Sequence, residues 1–296
     1  VSELVEEKRK NDPYYLTSTV ITTGSQLTEG EHVYIDKSSP LWKDAMRMLF
    51  QKMHELQDQY QANSIVVRDF MNTDESFDSF FVDNGFFKYT LPDANIIPSL
   101  SWEGDEGFYE SLSKRSKKHF REDGRKHIDK YILRIEKEAG SADIQQWYRL
   151  YLNVKQKNLG LNTFALPYRL FENMLSNHNW QIMTLHLKGE YNYKEVEGPL
   201  AVMFCYQSGE AFVPVLLGMD YTYQQEYKTY LQVLYHTVMQ AKKYQCKTLS
   251  LGFSATTEKK KVGAQPVPVV AYMQMKDSYN MQVIGEMQAA AVKMKP

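Results

Sequence analysis

Cysteine is scarce in this chain of 296 residues: there are two, Cys205 and Cys246. Two distant thiols without a CxxC spacing exclude a disulfide framework and a dithiol redox pair, and they read as small buried hydrophobes of a reducing compartment. No HxxxH spacing accompanies them, so no metal site is expected. An excess of one charge sign is also missing. With 35 basic against 36 acidic residues the net charge is −1, which leaves only local patches to attract nucleic acid or an anionic membrane. No apolar run is long enough to span a bilayer. The opening VSELVEEKRKNDPYY has neither a signal-peptide core nor an initiator Met, so a cytoplasmic protein and a piece of a larger polypeptide are expected.

What is present is ordinary globular material, 43% hydrophobic and 24% charged, and long enough for two domains. Twenty-one Tyr and fourteen Met suit a pocket for an elongated ligand, and they suit a plain core equally. Residues 14–35 read as two short strands. Residues 41–60 carry the apolar period of an amphipathic helix. SIVVRDF is a buried strand ending in Arg68-Asp69, read as an internal ion pair. Residues 74–82 read as a helix stopped by Asn84-Gly85, and FFKYTLPDANIIPSLSW as strand material broken at its prolines. Residues 108–130 form a basic helical stretch interrupted at Gly124, with Lys114, Lys118, Arg121 and Arg125 on one stripe. A strand (YILRIEKEA), a helix over 141–160, a helix started by Pro167, two strands flanking GEYNYKEVEG, a closing strand VPVVAYMQM and an Ala-rich tail follow. The fold class expected is α/β (α+β), two tandem lobes with mixed, mostly antiparallel sheets. The expected boundaries are a first lobe at 1–105, a basic helical connector at 106–130, and a second lobe at 131–296 that carries the site.

The most informative segment is 211–261. It reads as a buried strand (212–217), Gly218, a helix over 223–244 opened by a Thr222-x-x-Gln225 capping box, a second strand (248–252) and a Lys-rich loop closing on Gly263-Ala264. Strand ends and helix N-termini facing one crevice are where α/β folds bind ligands.

Five segments carry a family resemblance: FYESLSKRSKKHFRED, WYRLYLNVKQKNLGLNTFALP, GPLAVMFCYQSGEAFVPVLLGMD, EYKTYLQVLYHTVMQAKKYQ and LGFSATTEKKKVGAQPVPVVAYMQ. In order and spacing they resemble the FemAB-like (BioF2-like) branch of the GNAT acyltransferase superfamily, strongly over 108–275. The resemblance implies tandem GNAT lobes and transfer of an acyl or aminoacyl group to a small-molecule amine. The donor would be acyl-CoA as co-substrate, or aminoacyl-tRNA as in Fem-type ligases, with the basic stripe as the tRNA footprint. A non-catalytic docking domain is a third reading. Related bacterial segments are fused to pyridoxal-phosphate enzymes, which makes a fused or docked pyridoxal-phosphate domain an implied partner. One departure stands out. The Arg/Gln-x-x-Gly-x-Gly/Ala loop that wraps the CoA pyrophosphate is replaced here by residues 218–225, with one glycine, no basic residue and Asp220.

Roles follow from what amine acylation needs. The amine must lose a proton and the leaving group must gain one. Asp220 at a strand end is the candidate base, and Tyr230 on the following helix the candidate acid. Lys260 is the candidate for the oxyanion or a phosphate, by resemblance to the Fem-type Lys-x-x-Phe-Gly region. Leu217, Gly218, Thr222, Gln225 and Gly252 are expected to line the donor, and Glu258, Lys261 and Gly263 the acceptor loop. Each has a plainer alternative: helix-dipole partner, core tyrosine, solvated charge, or turn.

Overall fold

A computed structural model describes residues 2–25, 30, 32–71, 73–157 and 164–276. The elements run α1 (Ser2–Arg9), β1 (Val20–Thr22), α2 (Trp42–Gln59), β2 (Ser64–Phe70), α3 (Glu75–Asp83), β3 (Phe87–Ile97), α4 (Gly104–Ser111) and α5 (Lys114–His119). A π turn (Phe120–Gly124) and a 3-10 turn (Arg125–Lys130) lead into β4 (Tyr131–Glu136), α6 (Ser141–Lys157), α7 (Tyr168–Met174) and β5 (Trp180–Leu187). Then come a 3-10 turn (Gly189–Tyr191), β6 (Ala201–Ser208), β7 (Ala211–Met219), α8 (Gln224–Tyr227), α9 (Thr229–Lys243), β8 (Thr248–Ser250), α10 (Thr256–Lys261) and β9 (Gln265–Met275). Strand pairing is mixed and mostly antiparallel, as expected; among the described pairs β1–β2 and β7–β8 run parallel. The expected Ala-rich tail lies outside the described residues.

The chain divides into two compact units, Glu3–Asp93 with residues 268–276, and Ala94–Val267. In the first, β2 pairs with β1 and with β9. Met46, Phe50 and Met53 recur along α2 at helical spacing and meet Phe77, Phe80 and Phe81 of α3, with Ile65 and Val67 of β2 beneath them. Phe81 stacks on Tyr272 with centroids 3.9 Å apart. α3 starts where the sequence says it should, since Asp74 accepts the Phe77 amide proton at 2.8 Å. At the end of β2 the register slips between Val67 and Phe70, and Asp69 takes φ +71. Its carboxylate, 1% exposed, is held by Arg68 at 2.9 Å and His32 at 3.4 Å, the internal ion pair the sequence suggested.

In the second unit β4, β5, β6 and β7 form an antiparallel run, with β8 parallel to β7 and β3 antiparallel to β8. The apolar run of β6 is continuous because both faces are buried. Val202 and Phe204 join Ile182 under α6 and α7, while Ala201, Met203 and Cys205 join Met183 and Leu185 under α9. α9 supplies Leu231, Leu234, Tyr235, Val238 and Ala241 to that second face. Residues 106–130, expected as a connector, contribute Phe108, Leu112 and Phe120 to the same core. Gly124 explains the interruption seen in the sequence. A Cβ there would fall 2.7 Å from the Phe120 ring, and its carbonyl accepts from the buried Gln232 Nε2 at 2.9 Å.

Candidate active site

The site begins where two parallel strands part. β7 and β8 pair at Ala211–Thr248 and Phe212–Leu249; β8 then ends at Ser250 while β7 continues to Met219. On its other edge β7 stays zipped to β6 as far as Met219–Ala201. The register shifts where Phe204 pairs with Leu216 and Cys205 with Pro214, which makes Val215 an extra residue and places the donor-less Pro214 at a bulge. No β7–β8 pair follows Phe212–Leu249 among the described residues, so the two strands leave a wedge between them.

Beyond the wedge the helix differs from expectation. Residues 223–244 are not one helix: Lys228 adopts φ +53 and separates α8 from α9. The Thr222-x-x-Gln225 capping box does not form. Thr222 is exposed and its amide is taken by Asp220 Oδ1 at 2.7 Å, α8 opens at Tyr223 without a side-chain cap, and Gln225 is exposed. The cap comes instead from Gln224, whose Oε1 accepts the Tyr230 amide proton at 2.8 Å across the break. Tyr131 braces the junction from β4: its hydroxyl is 3.0 Å from Thr229 Oγ1 and donates to the Tyr227 carbonyl at 3.3 Å. Burial pushes that phenol up to about 12. Gly218 has a packing reason: a Cβ would lie 2.6 Å from the Tyr151 amide, so glycine lets α6 close on β7. Leu217 pairs with Met203 beside it.

The Lys-rich loop is a helix, α10 (Thr256–Lys261), and its three lysines part company. Lys259 is buried and donates to the Gly252 carbonyl at 3.0 Å, a carbonyl that Asn95 Nδ2 also reaches at 2.8 Å. Gly252 (φ +76) is thus a tethered turn. Lys260 is exposed; its carbonyl accepts from Ser116 Oγ at 2.7 Å, and its ammonium makes no ion pair among the described residues. Lys261 turns inward and bridges Glu258 at 2.9 Å and Asp123 at 3.0 Å. Gly263 (φ +95) closes the helix by donating to the Lys260 carbonyl at 3.1 Å.

The charge of Glu258 also reaches Tyr230 on α9. Burial first, then the charge of Glu258 and the neighbouring Tyr221, holds its hydroxyl well above the ordinary phenol value. Burial alone would raise Asp123, but the hydrogen bond and charge of Lys261 outweigh it and keep the carboxyl below its ordinary value. Lys157, at the end of α6, lies 3.5 Å over the Tyr221 ring. Of the expected residues, then, Glu258 and Lys261 pair directly, and Tyr230 feels the charge of Glu258. Asp220 caps its own loop, with its amide on the Leu200 carbonyl at 2.8 Å, and Lys260 faces outward. Sequence reasoning missed Asp123, Tyr221 and Gln224. The one available signal was Asp123 itself, a carboxylate inside a basic run. In that run Lys114, Lys118 and Arg121 are exposed, and Arg125 pairs with Glu106. Among the described residues no group of His, Cys, Asp or Glu could hold a metal, and no helix is long and apolar enough to cross a membrane.

This wedge, bulge and following helix sit within residues 114–260, which match the acetyltransferase (GNAT) domain family. The chain carries a GNAT domain, as its sequence resemblance implied. FemX superposes with a TM-score of 0.58 at 11% identity, over 90% of this chain and 82% of that one. L-PGS from Bacillus licheniformis does so with 0.53 at 12% identity, over 81% and 77%. The C-terminal domain (DUF2156) of a candidate lysylphosphatidylglycerol synthetase from Agrobacterium fabrum gives 0.52 at 13%, over 84% and 78%. At these identities the likeness is one of fold, and it is consistent with a FemAB-like GNAT. No curated protein sequence matches the chain.

Proposed function

We propose that the chain is an N-acyltransferase acting at the corner between the N-terminus of α9 and α10. The observation that carries this reading is the Glu258–Lys261 pair of α10, whose carboxylate charge reaches Tyr230 of α9, in a GNAT domain whose β7–β8 pairing ends at Phe212–Leu249. The donor carbonyl lies in the wedge, and the amine attacks its carbon. The developing oxyanion is met by the Lys261 ammonium and by backbone N–H groups of β7. The C–S or C–O bond breaks, and the departing atom takes the Tyr230 proton. The proton lost by the amine passes to Glu258, which returns it to the Tyr230 oxygen, so the site ends as it began. Most of the acceleration comes from holding the two reactants in place.

An acyl-CoA donor is the first reading, and an aminoacyl ester the second. Two observations favour the ester. Asp220 occupies the loop where a pyrophosphate cradle would need free N–H groups, and it takes one of them itself. A tyrosine with a raised pKa is also a better proton source for an alkoxide than for a thiolate, which leaves readily unprotonated because a thiol ionises near 8.5. The test is a donor panel of acyl-CoA thioesters and aminoacyl esters mixed with small amines, followed by thiol release and by product mass. One donor class should yield amide above the uncatalysed rate. No amide from either would overturn the reading in favour of a non-catalytic docking domain.

A further inference from the structure

β4 (Tyr131–Glu136) is the outer strand of the antiparallel run in the second unit. β5 pairs with one of its edges, and no described strand pairs with the other. The phase of the ladder tells which backbone groups face that other edge. The Lys188 amide donates to the Lys130 carbonyl at 2.9 Å, so Lys130–Lys188 is a hydrogen-bonded pair. By alternation Ile132–His186, Arg134–Thr184 and Glu136–Ile182 are hydrogen-bonded pairs too. Across β5 the Gln207 amide donates to the Asn179 carbonyl at 2.8 Å, so the alternate residues of β5 turn to β6, as this phase requires. The N–H and C=O groups of Tyr131, Leu133 and Ile135 therefore point away from β5. The β4–β5 register runs without a shift and β4 holds no proline, so neither of these edge-blunting devices is present in the strand. Leu133 and Ile135 pack half-buried against the core beneath α9. On the opposite face Ile132 is 41% exposed, and Arg134 is exposed and makes no ion pair among the described residues. Glu136 beside it accepts the Thr184 hydroxyl proton through Oε1.

A second copy joining this edge about a two-fold axis through the sheet can centre on Leu133, Arg134 or Ile135, because only such registers keep each face of the sheet continuous. A centre at Arg134 sets guanidinium against guanidinium, which is unfavourable for residues directly opposite. A centre at Leu133 sets Arg134 against Ile132 and offers Glu136 only Lys130, whose ammonium already lies 4.0 Å from the Tyr191 centroid. A centre at Ile135 sets Arg134 of each copy against Glu136 of the other, at the closely spaced position where side chains meet best. The outward Ile135 N–H and C=O groups then exchange bonds across the axis. We propose that β4 is a self-recognition edge, on which a second copy of this chain pairs antiparallel about Ile135 and continues the sheet. A strand of 6 residues covers less area than a standard interface, so the dimer is weak and reversible. The proposal is independent of the acyl-transfer reading.

Sedimentation velocity of the full chain over a concentration series tests it, and charge complementation tests the register. Wild type should pass from monomer to dimer as concentration rises. Arg134→Glu alone sets carboxylate against carboxylate, and Glu136→Arg alone sets guanidinium against guanidinium, so each should weaken self-association about tenfold or more. An equimolar mixture of the two variants should form a heterodimer with affinity near that of wild type, since every position then meets its opposite charge. That recovery needs both variants folded and needs this register. Arg134 is exposed, so Arg134→Glu keeps the fold, and an unchanged melting temperature checks it. Wild type that stays monomeric at every concentration would overturn the proposal. So would a dimer unaffected by Arg134→Glu, or folded variants whose mixture associates no better than either alone.

Discussion

Each unit of this molecule holds a cluster of carboxylate and cation, and the two are built differently. In the first unit Asp69 is 1% exposed, sits at a slipped register with φ +71, and is pinned by Arg68 and His32. In the second, Lys261 bridges Asp123 and Glu258, whose side chains keep 31% and 35% of their exposure, and the charge of Glu258 reaches Tyr230. A charge fully out of water tolerates no change of partner, since breaking such a pair strands the other member. A half-open pair can pass a proton to a neighbour or give way to a substrate. Burial thus separates an ion cluster that holds backbone from one suited to chemistry, although residue types and distances are nearly the same.

The largest expected effect lies in the closed cluster. Asp69→Ala should lower unfolding stability by roughly 3–5 kcal/mol, read from denaturant midpoints. Activity per folded molecule should be unchanged; a stable Asp69→Ala protein would erase the contrast. Next, Lys261→Met should cut turnover on the order of tenfold to a hundredfold through loss of oxyanion stabilisation, while the melting temperature falls by only a few degrees. A collapse of folding instead would put the second cluster in the same class as the first.

A smaller effect concerns pH. Asp123 is held below its ordinary value, so the stability it contributes is present above the unfolded carboxylate range, near 4, and is lost as pH falls through the lower folded value. Burial alone would lower Lys261, but hydrogen bonds and charge from Glu258 and Asp123 outweigh it and hold its ammonium above its ordinary value. Its contribution is therefore present below about 10.4 and lost as pH rises through the folded value. Melting curves of wild type and Asp123→Asn should differ between these limits and converge at acid pH; a constant gap down to pH 2 would deny the linkage. The smallest effect belongs to Lys260→Ala, expected within about 0.5 kcal/mol of wild type and within about twofold in turnover. A large loss of turnover would show that an outward lysine, and not Lys261, meets the substrate.

Much of the frame was legible in the sequence because it rests on local periodicity. The apolar spacing of α2, the Asn84-Gly85 stop of α3 and the Pro167 start of α7 each follow from neighbours within a few residues. The candidate site was legible only in part. Tyr230, Glu258 and Lys261 were named, but their association depends on α10 being a helix that turns one lysine in and the next one out. TTEKKK does not announce this, because its order comes from Lys259 reaching the Gly252 carbonyl. The break at Lys228 was hidden for a similar reason. Its left-handed backbone is sustained by Gln224 and Tyr131, one four residues away and one on a distant strand. Gly218 looked like a ligand-binding glycine because the sequence could not show α6 lying against it.

The most direct test of the account is Tyr230→Phe, which removes one oxygen from the proposed acid and leaves its ring in the core. With the donor class found from the panel, turnover should fall by about 10²-fold or more while donor affinity and melting temperature stay near wild type. Turnover within a few-fold of wild type would contradict the assignment of Tyr230, and with it the placing of the chemistry between α9 and α10.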